Sequence, residues 1–212
     1  MKKIAVLISG QGSNLQAIIN ACQTGFIPGK IVIVISNKID AYGLVRAESA
    51  GISSHIFLRQ DFASNLEMDN AIGDYLEDLD VDLIVLAGYM KILTKAFTQR
   101  FPGRILNIHP SLLPKYPGLH TYQRALDNGE KEHGTTVHFV NEEIDGGATV
   151  LQAKVPIFPG DTVKEIELRT REQEYHIYPL VIKWFIEERL KLENGIAYLD
   201  DSPLPISGYA AE

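Results

Sequence analysis

The chain has 212 residues, 45% of them hydrophobic and 22% charged, with a net charge of −7 at pH 7. That length suits one α/β domain, or a domain of two lobes, with a sizeable core, and the acidic balance argues against a nucleic-acid partner, since no basic run exceeds two residues. The single cysteine, Cys22, excludes an intrachain disulfide, and no apolar run approaches the roughly 18 residues of a membrane span.

The opening MKKIAVLISGQG has an apolar run too short for a signal peptide and no small-residue cleavage site. Ile4–Ser9 is therefore expected as a buried first strand, and the cytoplasm as the compartment. A turn at Gly10-Gln11-Gly12 leads into a helix from about Ser13 to Thr24. Its Leu15, Ile18, Ile19 and Cys22 stand at helical spacing, which places the thiol in the core. Ile31–Ile35 (IVIVI) is the β-branched run of a sheet covered on both faces. A helix around Tyr42–Ala50 ends at Gly51, and Ser54–Leu58 reads as a third strand. Asn65–Leu79 is a helix with Met68, Ile72, Tyr75, Leu76 and Leu79 as its apolar stripe. Asp82–Ala87 is a fourth strand, and Arg104–Ile108 a fifth after a helix near Lys95–Arg100.

This alternation predicts an α/β fold with a doubly wound, mainly parallel sheet. The second half changes character. Thr135–Val140 and Thr149–Val155 flank the polar Asn141–Gly147 and read as an antiparallel extension, while Asp161–Lys191 reads as one long helix interrupted or bent at Pro179. A single domain over 1–212 is expected, with lobes 1–100 and 101–212.

Four stretches carry chemistry. Ser9–Leu15 (SGQGSNL) is a glycine turn from strand to helix, which offers backbone N–H groups to an anion. It is neither a dinucleotide fingerprint, because Leu15 takes the third glycine position, nor a Walker A loop. A site for one phosphate remains, with Ser13 and Asn14 as donors; the alternative is a plain helix cap at Ser13. Asn107 and His109 lie two apart on a strand and so share a face. An amide donor beside an imidazole suits a reaction that builds negative charge on a carbonyl oxygen, hence acyl transfer. Alternatively they tie down the loop Pro110–Gly118, in which Leu113-Pro114 is a candidate cis bond.

Asp145 in NEEIDGGAT is either a turn residue or a carboxylate that a loop delivers to His109, raising the histidine pKa. Arg171 and Glu174, three apart on the long helix, form a solvated ion-pair face or else reach a phosphate and a pair of ribose hydroxyls. His133 and His138 face opposite sides of a strand, and no HExxH exists, so no metal is expected. Ser111 lacks a nucleophile elbow.

Together, Ser9-Gly10-x-Gly12-Ser13-Asn14-Leu15, Asn107-x-His109-Pro110-Ser111-Leu112-Leu113-Pro114 and Asp145-Gly146-Gly147 resemble the folate-dependent formyltransferases, specifically those that act on glycinamide ribonucleotide. The resemblance runs from about Lys3 to the C-terminal GYAAE and takes in Ser36-Asn37-Lys38, Glu132-His133-Gly134 and Tyr178-Pro179-Leu180. It implies a Rossmann-like fold and transfer of the formyl group of 10-formyltetrahydrofolate, a co-substrate, to the ribonucleotide amine in de novo purine synthesis.

By the same resemblance Gly12, Ser13, Asn14, Arg171 and Glu174 would bind the ribonucleotide, and Met90, Lys91, Ile92, Leu93, Asn107 and Asn65 the folate. Asn107 and protonated His109 would stabilise the tetrahedral oxyanion, and Asp145 would raise the His109 pKa. The loop Val140–Asp145 would cover the pterin. Lys91 and Asn65 stand where many relatives carry arginine, and Tyr122 where some carry histidine, so a change in contact with the folate tail is expected. The partners implied are these two small molecules, with neither nucleic acid nor membrane. A formyltetrahydrofolate deformylase and a non-catalytic nucleotide-binding protein are the alternatives.

Overall fold

Apolar, β-branched runs become buried parallel strands in the first of two units, Met1–Asn107. In the computed structural model, which describes residues 1–209, these are β1 (Lys2–Ile8), β2 (Gly29–Ser36), β3 (Ser54–Ile56), β4 (Leu83–Leu86) and β5 (Ile105–His109). β1 pairs in parallel with β2 and β4, β2 with β3, and β4 with β5. Between the strands run α1 (Ser13–Gln23), α2 (Gly43–Ser49), α3 (Asn65–Asp78) and α4 (Lys95–Arg100). Ile4–Ile8 of β1 are wholly buried, which is why no polar residue interrupts that run.

The second unit, from Ile108 onward, has a different build. It contains α5 (Thr121–Asp127), β6 (Glu132–Phe139), β7 (Thr149–Pro156) and α6 (Val163–Ile186). β6 and β7 pair antiparallel, as the sequence suggests. The seven strands are ordered β3-β2-β1-β4-β5-β6-β7 in one sheet, mainly parallel with an antiparallel end, which is the expected fold class.

Several expectations need correction. The long helix does not reach Lys191. It starts with a capping box in which Thr162 and Glu165 satisfy each other's backbone N–H groups, passes unbroken through the buried Pro179, and ends at Ile186. Beyond it, β8 (Leu190–Glu193), β9 (Ile196–Leu199) and β10 (Ser202–Pro203) form a second, antiparallel sheet that the sequence reading did not foresee. Asn194-Gly195, with both residues at positive φ, closes the β8–β9 hairpin and is the turn signal for it in the sequence. α5 was likewise missed. Cys22 is half-buried and not a core residue, because the apolar face of α1 closes with Leu15, Ile18, Ile19 and Ala21. The resembling residues Ala210, Ala211 and Glu212 lie outside the described residues.

Candidate active site

In the first unit, the glycine turn is shaped by backbone packing. Gly12 has φ +73° and precedes α1 as its N-cap, so Ser13 is the first helical residue and not the cap; no side chain caps this helix. A β-carbon on Gly12 would stand 2.7 Å from the α-carbon of Gly43, and one on Gly43 would stand 2.4 Å from Cδ1 of Ile8. Two glycines from different helices therefore meet backbone to backbone, and the Gly43 N–H donates to the Gly10 carbonyl at 3.0 Å. Arg46 of α2 donates to the Gln11 carbonyl at 2.8 Å and brings a guanidinium beside the turn. Gly43 and Arg46 escaped the sequence reading because neither belongs to a motif.

Ser9, at the end of β1, donates its hydroxyl to Oδ1 of Asn37 at 2.6 Å and accepts from the Met90 N–H at 2.7 Å. One hydroxyl thus joins the ends of β1 and β2 to the segment after β4. Met90 and Ile92 are exposed, Leu93 is half-buried, and Asn65 is exposed as the first residue of α3.

Lys91 is turned inward. Its ammonium donates to Oδ1 of the buried Asp69 at 2.5 Å and to the Ile92 carbonyl at 3.3 Å. The other Asp69 oxygen accepts from the Thr94 N–H at 2.7 Å. Asp69 lies on the buried side of α3, a carboxylate among apolar positions, and an unexpected acid there was the available clue to the pair. Burial, and after it the Asp69 charge, push the Tyr89 phenol upward.

Asn107 and His109 stand on β5, with His109 7% exposed. Nε2 of His109 lies 2.8 Å from the Tyr116 carbonyl oxygen; since a carbonyl only accepts, Nε2 carries a proton. Nδ1 faces Asp145, whose Oδ1 is 3.5 Å away, an ion-pair distance rather than a hydrogen bond. The other Asp145 oxygen accepts from the Gly118 N–H at 2.8 Å. The structure therefore brings Asp145 to His109 across the β6–β7 connection. Asp145 itself has φ +52°, and a β-carbon on Gly147 would stand 1.7 Å from the Phe139 carbonyl oxygen, so the Asp-Gly-Gly run is needed for the chain to turn here.

The loop after β5 is pinned by side chains to which the sequence reading had given no such role. Pro110 O accepts from Thr121 at 2.5 Å and from His133 at 2.7 Å, His109 O from Thr135 at 3.0 Å, and Ser111 O from Thr136 at 2.7 Å. Ser111 is fully buried and donates to the Lys115 carbonyl, which leaves no nucleophile there. Leu113-Pro114 is cis. Burial lowers the pKa of both His133 and His138, and each donates one ring N–H to a carbonyl, His138 to that of Phe139.

On α6, Arg171 is exposed and pairs with Glu167 at 2.5 Å, while Glu174 is buried. Among the described residues no group of three or more metal-ligating side chains clusters, and no helix is long and apolar enough to cross a membrane.

Comparison with known proteins adds the family. A profile described as formyl transferase matches residues 2–182. The chain is 73% identical to the phosphoribosylglycinamide formyltransferase of Haemophilus influenzae over the full length of both, and 54% identical to that of Escherichia coli over 99% of each. Among solved structures, the phosphoribosylglycinamide formyltransferase of Coxiella burnetii superposes with a TM-score of 0.95 at 47% identity, covering 98% of both chains. The chain accordingly belongs to the formyl transferase family and stands among its phosphoribosylglycinamide formyltransferases, enzymes of purine biosynthesis.

Proposed function

We propose that the chain transfers the formyl group of 10-formyltetrahydrofolate to the amine of glycinamide ribonucleotide, with Asn107, His109 and Asp145 as the chemical groups. The observation that carries the assignment is the state of His109. Its Nε2 proton is committed to the Tyr116 carbonyl, so Nδ1, facing the Asp145 carboxylate, is the atom available to hold or pass a proton.

The amine lone pair attacks the formyl carbon, and the carbonyl π pair moves onto oxygen. Asn107 and the Nδ1–H of imidazolium His109 donate to that oxyanion. At 3.5 Å the Asp145 carboxylate balances the positive ring without consuming the Nδ1 proton in a direct hydrogen bond. Collapse breaks the bond from the formyl carbon to the folate nitrogen. One proton leaves the attacking amine and one arrives on that nitrogen, giving an amide and tetrahydrofolate with no net proton change.

Gly12, Ser13 and Asn14, at the uncapped start of α1 beside Arg46, suit the ribonucleotide phosphate. Arg171 and Glu174 are assigned to the same substrate, at phosphate and ribose. Met90, Lys91, Ile92, Leu93 and Asn65, with Asn107, are assigned to the folate. Within that set the exposed Met90 and Ile92 suit direct contact, and Lys91 suits a brace.

The test is tetrahydrofolate release from 10-formyltetrahydrofolate with and without glycinamide ribonucleotide. Release that needs the ribonucleotide supports the transferase; equal release without it makes the chain a deformylase. Ligand binding with no release in either arm makes it a non-catalytic binder.

A further inference from the structure

The turn Lys115–Gly118 addresses both members of the His109–Asp145 pair. Its Tyr116 carbonyl accepts from His109 Nε2, and two residues later its Gly118 N–H donates to Asp145 Oδ2. The neighbouring carbonyls are also claimed: that of Lys115 accepts from Ser111 at 2.6 Å, and that of Pro117 from Arg124 at 2.6 Å. Three consecutive carbonyls thus each have a separate donor.

Tyr116 is the unusual member. Its φ is +53°, a left-handed conformation that a bulky L-residue rarely adopts and that glycine would take freely. Something must hold it there, and the side chain is held at three places. Its hydroxyl donates to Glu130 at 2.8 Å and accepts from the Asn128 amide at 2.9 Å, and the Arg124 guanidinium lies 5.2 Å from the ring centroid. The Tyr116 hydroxyl and the Lys115 ammonium both keep Glu130 below the usual carboxylate range, so the acceptor stays ionised. Strain concentrated at one residue and tied down from three sides is how a fold over-determines a backbone conformation that a site requires.

We infer that Tyr116 is a positioning residue: anchored through Glu130 and Asn128, it holds the 115–118 turn so that one carbonyl fixes the His109 tautomer and one N–H fixes the Asp145 carboxylate opposite Nδ1. The inference rests on the reading of His109 as the proton-handling group. The role given to the tyrosine needs no contact with either substrate. It acts through the backbone it strains, and the specificity of the device lies in its hydroxyl, which phenylalanine would lack.

The experiment combines steady-state kinetics with 15N NMR of the histidine rings in the full chain, the His109 signal being identified by its loss in His109→Ala. In the parent protein the neutral His109 ring should carry its proton on Nε2. In Tyr116→Phe and in Glu130→Ala that signature should become a mixture of tautomers. kcat should fall about tenfold, a fraction of a full general-acid contribution, while KM for both substrates stays within about twofold. Glu130→Gln, which can still accept from the Tyr116 hydroxyl, should restore both kcat and the Nε2 signature, a rescue that a loss of stability alone would not produce.

Folded Tyr116→Phe and Glu130→Ala with unchanged kcat and tautomer would overturn the inference. If Tyr116→Phe does not fold, Glu130→Ala and Asn128→Ala, both changes outside the turn, decide in its place. The two readings fail separately. Turnover by His109→Ala removes the role of His109 itself. An inactive His109→Ala beside unaffected anchor variants removes only the role of Tyr116.

Discussion

The two units hold their candidate residues by different means. In the first, Met1–Asn107, regular backbone does the placing: a parallel strand ends, glycine lets two helices approach at Gly12 and Gly43, and the single hydroxyl of Ser9 ties the ends together. In the second, side chains reach main-chain carbonyls one at a time, from Thr121, His133, Thr135, Thr136 and Arg124, to fix an irregular loop around His109. A substrate phosphate needs an array of N–H groups, which a helix start supplies ready-made. A proton carrier needs one ring in one tautomer, which only specific partners can impose.

The comparison breaks first at the chemistry. His109→Ala and Asp145→Asn should each lower kcat by roughly 10²- to 10⁴-fold, the span of general acid–base contributions. Affinity for glycinamide ribonucleotide, measured by calorimetry, should change little. A loss of binding equal to the loss of turnover would show that His109 and Asp145 hold the ribonucleotide and do not act on it.

Asp69→Ala probes a buried charge pair of the first unit. Removing Asp69, whose side chain is fully buried, strands the Lys91 ammonium and should cost about 3–5 kcal/mol in urea denaturation. Lys91→Met should lose less, because Asp69 keeps the Thr94 N–H as a donor. Equal losses in the two variants would mean that the pair acts only as a charge balance.

Gly12→Ala sharpens the backbone half of the contrast. The new methyl meets Gly43 at 2.7 Å in a left-handed conformation, so about 1–3 kcal/mol of stability should go. The KM for the ribonucleotide should rise while that for the folate holds. A rise in the folate KM alone would place the glycine turn at the other substrate.

The smallest effect expected is on acid stability. His133 and His138 both have pKa values below the ordinary histidine value because burial disfavours the charged ring. The unfolded chain therefore binds more protons than the folded one between the folded and unfolded values. The stabilisation is fully present above about pH 6.5 and is lost as pH falls through the folded pKa values. Urea midpoints should drop on acidification from pH 7.5 to 5.5, and less so in His133→Asn. An equal drop in that variant would assign the acid sensitivity to His138 and not His133, because a carboxylate such as Asp161, held down to about 2 by Arg169, loses its stabilising charge only below the ordinary carboxylate range.

Much of the fold was legible because strand burial writes itself as unbroken apolar runs. β1, β2, β4 and the β6–β7 pair all follow from such runs, and α4 was placed residue for residue. The end of α6 was not, because amphipathic spacing continues past Ile186 while the chain turns left-handed at Glu188, with φ +62°. The motif residues Asn107, His109 and Asp145 were legible as types, and so was the approach of Asp145 to His109; the main-chain partners of that pair were not. Tyr116 contributes a carbonyl, which every residue has, so nothing in its identity announces the contact. Asp69 does announce itself, as a charge on an apolar helix face.

The inward Lys91 changes how substitutions in this family should be read. Position 91 lies in the stretch proposed to bind the folate, where a lysine invites reading by its charge. Its ammonium is already taken by Asp69 and the Ile92 carbonyl, so a ligand docked against residues 90–93 meets the exposed Met90 and Ile92 side chains and the main chain. An inhibitor designed to place an acid against this lysine would be aiming at a charge that faces the protein. Its selectivity would have to come from shape.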